Sequence, residues 1–122
     1  MASRWKDGPS DYDDVLEYIE ERNHVSFGEL SRRFSALVDG DQMYGKADFK
    51  TWFYVNLSNE FLDKLDSWIE ARKVHLWPTN AFVYLIDGGM PKLPIAKRPG
   101  HKYKKDRWLP VVINVGPRPS TK

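Results

Sequence analysis

The stretch SNEFLDKLDSWIEARKVHLWPTNAFVYLI, residues 58–86, carries the reading on which the fold turns. Its first half has helical spacing. Phe61, Leu62, Leu65, Trp68 and Ile69 form one apolar stripe, and Asn59, Asp63, Lys64, Asp66, Ser67 and Glu70 occupy the opposite face. Ser58 offers an N-cap hydroxyl, Glu60 follows at the positive end of the helix, and Arg72 and Lys73 stand at the negative end. At Val74 the period changes. VHLWPTNAFVYLI reads as strand, tight turn, strand, with Pro78-Thr79-Asn80 as the turn and β-branched and aromatic residues on either side. Asp87-Gly88-Gly89 closes the second strand.

Towards the N-terminus, residues 1–9 read as a flexible arm. Ser10 reads as the N-cap of a first helix whose face is Tyr12, Val15, Leu16 and Ile19. Asp11, Asp13 and Asp14 suit the positive end of that helix better than a metal site, and the helix is expected to end near Arg22-Asn23. His24-Val25 reads as a short extended piece. Ser26 and Glu29 have capping-box spacing, and Phe27, Leu30, Phe34, Leu37 and Val38 continue at helical spacing to the turn Asp39-Gly40-Asp41. Between 41 and 57, KADFKTWFYVNL is read as a short helix or irregular apolar segment, although TWFYV also has strand propensity. Phe49, Trp52, Phe53, Tyr54, Val55 and Leu57 form an apolar run for which core packing is the default reading. A homodimer interface over 49–57 is the alternative.

Towards the C-terminus, residues 90–107 are rich in Pro and basic side chains, WLPVVINV (108–115) reads as a strand, and residues 116–122 read as a disordered tail. Net charge is only +2, but it is unevenly spread. Residues 1–40 carry five Lys or Arg against nine Asp or Glu, residues 41–90 five against seven, and residues 91–122 nine against one. A basic C-terminal third on an acidic body points to a polyanion. AKRPGHKYKKDRW (96–108) concentrates that charge. Lys97, Arg98, Lys102, Lys104, Lys105 and Arg107 are candidate phosphate contacts, and Tyr103 and Trp108 are candidates to stack on a base or ribose. If FVYLI (82–86) pairs with WLPVVINV, the basic segment is a loop anchored at both ends. Otherwise it is a solvated tail, or a charged guard on an edge strand. Arg32 and Arg33, on the outer face of the second helix, are further candidate contacts.

The element order resembles the winged helix-turn-helix superfamily. DYDDVLEYIEE, VSFGELSRRF and the 58–86 stretch carry the likeness, which covers roughly residues 10–86. It implies an α+β, winged-helix-like domain over 10–115, with three or four helices followed by a small antiparallel β-sheet. It also implies duplex-DNA binding, a role in transcription regulation and a tendency to dimerise. Two features depart from the pattern. About twenty residues, 38–57, stand where a short turn joins the second and third helices, and the third helix exposes carboxylates.

Catalytic and metal readings find little support. The three His are scattered, Cys is absent, and no GxSxG, P-loop, GxGxxG or HExxH occurs. The expectation is a non-catalytic protein with no cofactor, no membrane span and no signal peptide, cytoplasmic in a reducing compartment. Nucleic acid, most simply duplex DNA, is its expected partner. A protein-interaction module and an RNA-binding protein are the alternatives.

Overall fold

The computed structural model describes residues 11–87, 90–97 and 100–119. Over these described residues it is an α+β fold of five α-helices and two three-stranded sheets. The expected arm at 1–9 lies outside the described residues, and the cap of the first helix is Asp11 rather than the expected Ser10.

Helix α1 (Tyr12–Arg22) is capped by Asp11, whose carboxylate accepts from the Asp14 amide while Asp14 accepts from the Asp11 amide. This reciprocal pairing satisfies two groups at the helix start. Val15, Tyr18 and Ile19 are buried, and Tyr12 donates its hydroxyl to the Leu37 carbonyl at 3.0 Å. The two-residue strand β1 (Val25–Ser26) leads directly into α2 (Phe27–Arg33), where Ser26 Oγ accepts from the Glu29 amide at 2.9 Å. The backbone leaves the helical region at Phe34, and a single turn, α3 (Ser35–Val38), follows.

The segment expected to be helical or irregular is instead a β-hairpin. Strand β2 (Asp39–Lys46), a 3₁₀ turn (Ala47–Phe49) and strand β3 (Thr51–Leu57) pair antiparallel, with Lys50 left-handed in the connection. The buried residues of β3 are Thr51, Tyr54 and Leu57, spaced three apart. Register shifts along β2 and the left-handed Asn56 interrupt the two-residue alternation expected of a strand, which hid it from pattern reading.

Helix α4 (Asn59–Glu70) is the one expected from the 58–86 stretch. Ser58 caps it through the Phe61 amide, and Phe61, Leu62, Leu65 and Trp68 are buried. Strand β4 (Val74–Pro78) follows as expected. The expected strand FVYLI is instead helix α5 (Ala81–Asp87), so the hairpin over 74–86 does not form. Asn80 Oδ1 accepts from the Phe82 amide at 2.7 Å, which starts the helix. Tyr84 then fixes it. Its buried hydroxyl donates to the Val111 carbonyl at 2.6 Å and accepts from the Phe27 amide at 3.1 Å. These contacts override the strand propensity of the segment.

WLPVVINV splits into β5 (Arg107–Trp108) and β6 (Val111–Val115). Strand β6 is the centre of the sheet β1-β6-β4, antiparallel to both neighbours, with Val25 opposite Ile113 and Leu76 opposite Ile113. In the second sheet, β2-β3-β5, the β3–β5 pair is parallel. One aromatic core joins the sheets. Phe27 stacks on Tyr54 at 5.7 Å and meets Phe61 edge-on at 6.3 Å, and Tyr84 meets Trp108 edge-on at 5.1 Å. Among the described residues no helix is long and apolar enough to cross a membrane.

Candidate nucleic-acid interface

FVYLI and WLPVVINV are not paired strands, so the basic segment is not anchored in the expected way. It is anchored in another. The backbone at 94–96 folds back on Trp108: the Ala96 amide donates to the Trp108 carbonyl and the Trp108 amide to the Pro94 carbonyl, both at 2.7 Å. Ile95 and Trp108 form an isolated parallel bridge. The loop between them is also tied to the turn of the β2–β3 hairpin. The Tyr103 amide donates to the Phe49 carbonyl at 3.1 Å and the Arg107 amide to the Lys50 carbonyl at 2.8 Å. Asp106, the one acid of the segment, accepts from Trp52 Nε1 at 2.9 Å. The result is a loop closed at its own base rather than an open tail.

On this frame the predicted residues separate into two kinds. Lys97, Lys102, Lys104 and Lys105 are exposed, and among the described residues none of the four joins an ion pair. Arg98 lies outside the described residues. Tyr103 and Arg107 are half-buried and engage each other, with the guanidinium 5.1 Å from the ring centroid. Arg107 also reaches the Ile95 carbonyl through Nη1 at 3.5 Å, while its buried Nε has no partner among the described residues. Both therefore brace the base of the loop. His101 packs edge-on against Tyr103 at 4.6 Å. Trp108 does not face solvent at all. It is fully buried and donates Nε1 to the Phe53 carbonyl at 3.1 Å, so its expected stacking role is corrected to a core role.

Arg32 and Arg33 are exposed on the last turn of α2. They line a cleft with Tyr18, Arg22 and Glu29. The Arg33 guanidinium lies 5.8 Å and that of Arg22 5.3 Å from the Tyr18 ring centroid. Glu29 binds Arg22 Nε at 2.8 Å and accepts the Tyr18 hydroxyl. Burial, reinforced by Glu29, pushes the Tyr18 phenol up to about 12. Arg22 was missed in the sequence because it stands at a helix end, where a cation is ordinarily explained by the dipole. Arg32 therefore remains the more available charge of the expected pair.

No family model, no curated protein and no solved structure matches this chain.

Two further elements bear on recognition. Helix α4 exposes Glu60, Asp63, Asp66 and Glu70, and Asp66 accepts the Tyr44 hydroxyl at 2.8 Å. Carboxylates on this face repel phosphate. Helix α5 exposes Phe82, Leu85 and Ile86, which are 66%, 60% and 78% accessible. Placed at i, i+3 and i+4, they form an apolar stripe left exposed by the described residues. Among the described residues no group of three or more His, Asp or Glu is arranged to hold a metal.

Proposed function

We propose that this protein binds nucleic acid, most simply duplex DNA, without catalysis, through phosphate contacts from the basic 97–107 loop. The observation that carries the reading is the closed loop itself. It presents exposed Lys97, Lys102, Lys104 and Lys105 from a base held by backbone hydrogen bonds and by Arg107. Holding the loop's ends reduces the conformational entropy lost when lysines settle on phosphates. The winged-helix interpretation is supported by the order α1, β1, α2, α4, β4, β6 and by the sheet order β1-β6-β4. On that interpretation the hairpin β2–β3 is inserted before the third helix, and α5 with the basic loop takes the place of the wing. The acidic α4 is unsuited to read base edges, so affinity is dominated by phosphates and sequence preference is small.

Fluorescence anisotropy with random duplex DNA across a salt series tests this. Wild type should bind in the micromolar range at low salt. Changing Lys102, Lys104 and Lys105 to Ala should flatten the log–log salt slope by about three units, near −0.9 per phosphate contact. Single-stranded competitors would separate duplex from RNA-like recognition. Absence of binding at about 50 mM salt would refute the proposal, since non-specific electrostatic binding is strong there. The second reading, a protein-interaction module, is favoured by one observation, the exposed Phe82–Leu85–Ile86 stripe of α5.

A further inference from the structure

Between the two sheets lies a cavity of about 330 Å³ that the nucleic-acid reading does not use. Its walls are Phe49 and Phe53 from the hairpin, Ile69 from α4, Leu76 from β4, and Leu109 and Val111 beside and within β6. An apolar cavity of about 150 Å³ holds a benzene ring, so this one has room for a larger aromatic or aliphatic body. It also falls in the size range of small-molecule sites, roughly 300–1,000 Å³.

The charge at its rim is one-sided. Lys46 and Arg118 line it and, among the described residues, no Asp or Glu does. Both cations are exposed, and each is held over an aromatic ring instead of a carboxylate. Lys46 Nζ lies 5.8 Å from the Phe49 centroid, and the Arg118 guanidinium 5.6 Å from the Trp77 centroid. Among the described residues neither forms an ion pair. Asp66 does not line the cavity, although it accepts the hydroxyl of Tyr44, which does. His75 adds a wall rather than a further ligand. Its Nδ1 donates to the Gly116 carbonyl at 2.9 Å, and its other nitrogen faces the Asn114 amide at 3.5 Å.

We propose that this cavity binds a small organic monoanion, an apolar ring or branched chain carrying one carboxylate, with the apolar body between the sheets and the carboxylate at Lys46 and Arg118. An apolar interior selects for the body of such a ligand. Two unpaired cations at the mouth, one a guanidinium able to bind both carboxylate oxygens, select for its charge. The site stands apart from the proposed phosphate contacts, since none of Lys97, Lys102, Lys104 or Lys105 lines it. It does touch the same loop at Gly100.

The test is a titration of the isotope-labelled full chain, followed by amide NMR, with naphthoate and separately with its neutral analogue naphthamide. Naphthoate should shift the amides of 49–53, 75–76 and 109–111 saturably, and naphthamide should bind at least about tenfold more weakly because it lacks the charge-assisted contacts. In a Lys46→Met, Arg118→Met variant that preference should vanish. Both positions are exposed, so the fold is expected to survive, and the unshifted remainder of the spectrum verifies it. Ile69→Phe, which fills the cavity from α4, should weaken both compounds. The proposal is overturned if millimolar naphthoate gives no saturable shift at these amides or if its shifts centre on α5. It is equally overturned if naphthamide binds as well as naphthoate, or if the preference survives loss of both cations.

Discussion

Tyr84 and Tyr18 show how single residues work here. Tyr84 is fully buried, and its hydroxyl links α5, β6 and the start of α2 through two hydrogen bonds. Nothing in the spacing of AFVYLID announces that role, because both partners are distant in sequence. Tyr18 carries the guanidinium groups of Arg22 and Arg33 over its ring and donates to Glu29. Its phenol is raised to about 12, above the ordinary value near 10 of an unfolded chain. The folded state holds this proton more tightly than the unfolded one. The stabilisation is therefore complete below about pH 10 and is lost as pH climbs from about 10 to about 12. Thermal melts across that window should show Tm falling in the wild type, and falling less in Tyr18→Phe. An equal fall in both would remove Tyr18 from the account.

Among the elements, the β2–β3 hairpin and α5 were the least legible, and each failed for its own reason. In the hairpin, the strands approach so closely that a Cβ on Gly45 would meet the Thr51 carbonyl oxygen at 2.4 Å and Trp52 Cα at 2.7 Å. These are backbone atoms that cannot turn aside. Gly45→Ala should destabilise by about 1–3 kcal/mol, the usual cost of overpacking, in urea unfolding. A neutral result would mean that the two strands are not so close. In α5, a segment of strand-forming residues adopts a helix because Asn80 caps it and Tyr84 anchors it. Its outer stripe is not part of the core, so Phe82→Ser with Ile86→Ser should leave unfolding free energy within about 0.5 kcal/mol per site, as for other surface changes. A larger loss would place these side chains in a buried contact. By contrast the periods of α1, α2 and α4 and the Ser26 and Ser58 caps were legible, since both are written within a dozen neighbouring residues, although α1 is capped by Asp11 rather than Ser10 and the second helix breaks at Phe34, short of the expected Val38.

Over the whole molecule, charge is the organising feature. An acidic body carries a basic loop, and α4 holds exposed Glu60, Asp63 and Glu70. Replacing these three with their amides adds no contact to nucleic acid but removes a repulsive field. Duplex affinity should rise severalfold at about 0.01 M salt, where charges act over about 30 Å, and the gain should vanish near 1 M, where they act over about 3 Å. Anisotropy at the two salt concentrations checks this, and a gain that persists at high salt would indicate a direct contact instead. The sequence by itself determined the helical periods of α1, α2 and α4, the strand at 74–78, the strand character of 108–115 though not its division in two, and the clustering of basic charge in 97–107, because each rests on residues close together in the chain. Only the tertiary structure decided the hairpin, the helix at 81–87 and the closure of the basic loop. Those depend on partners such as Tyr84 with Phe27, 57 residues apart, and Trp108 with Phe53, 55 apart, and local propensity is silent about contacts at such separations.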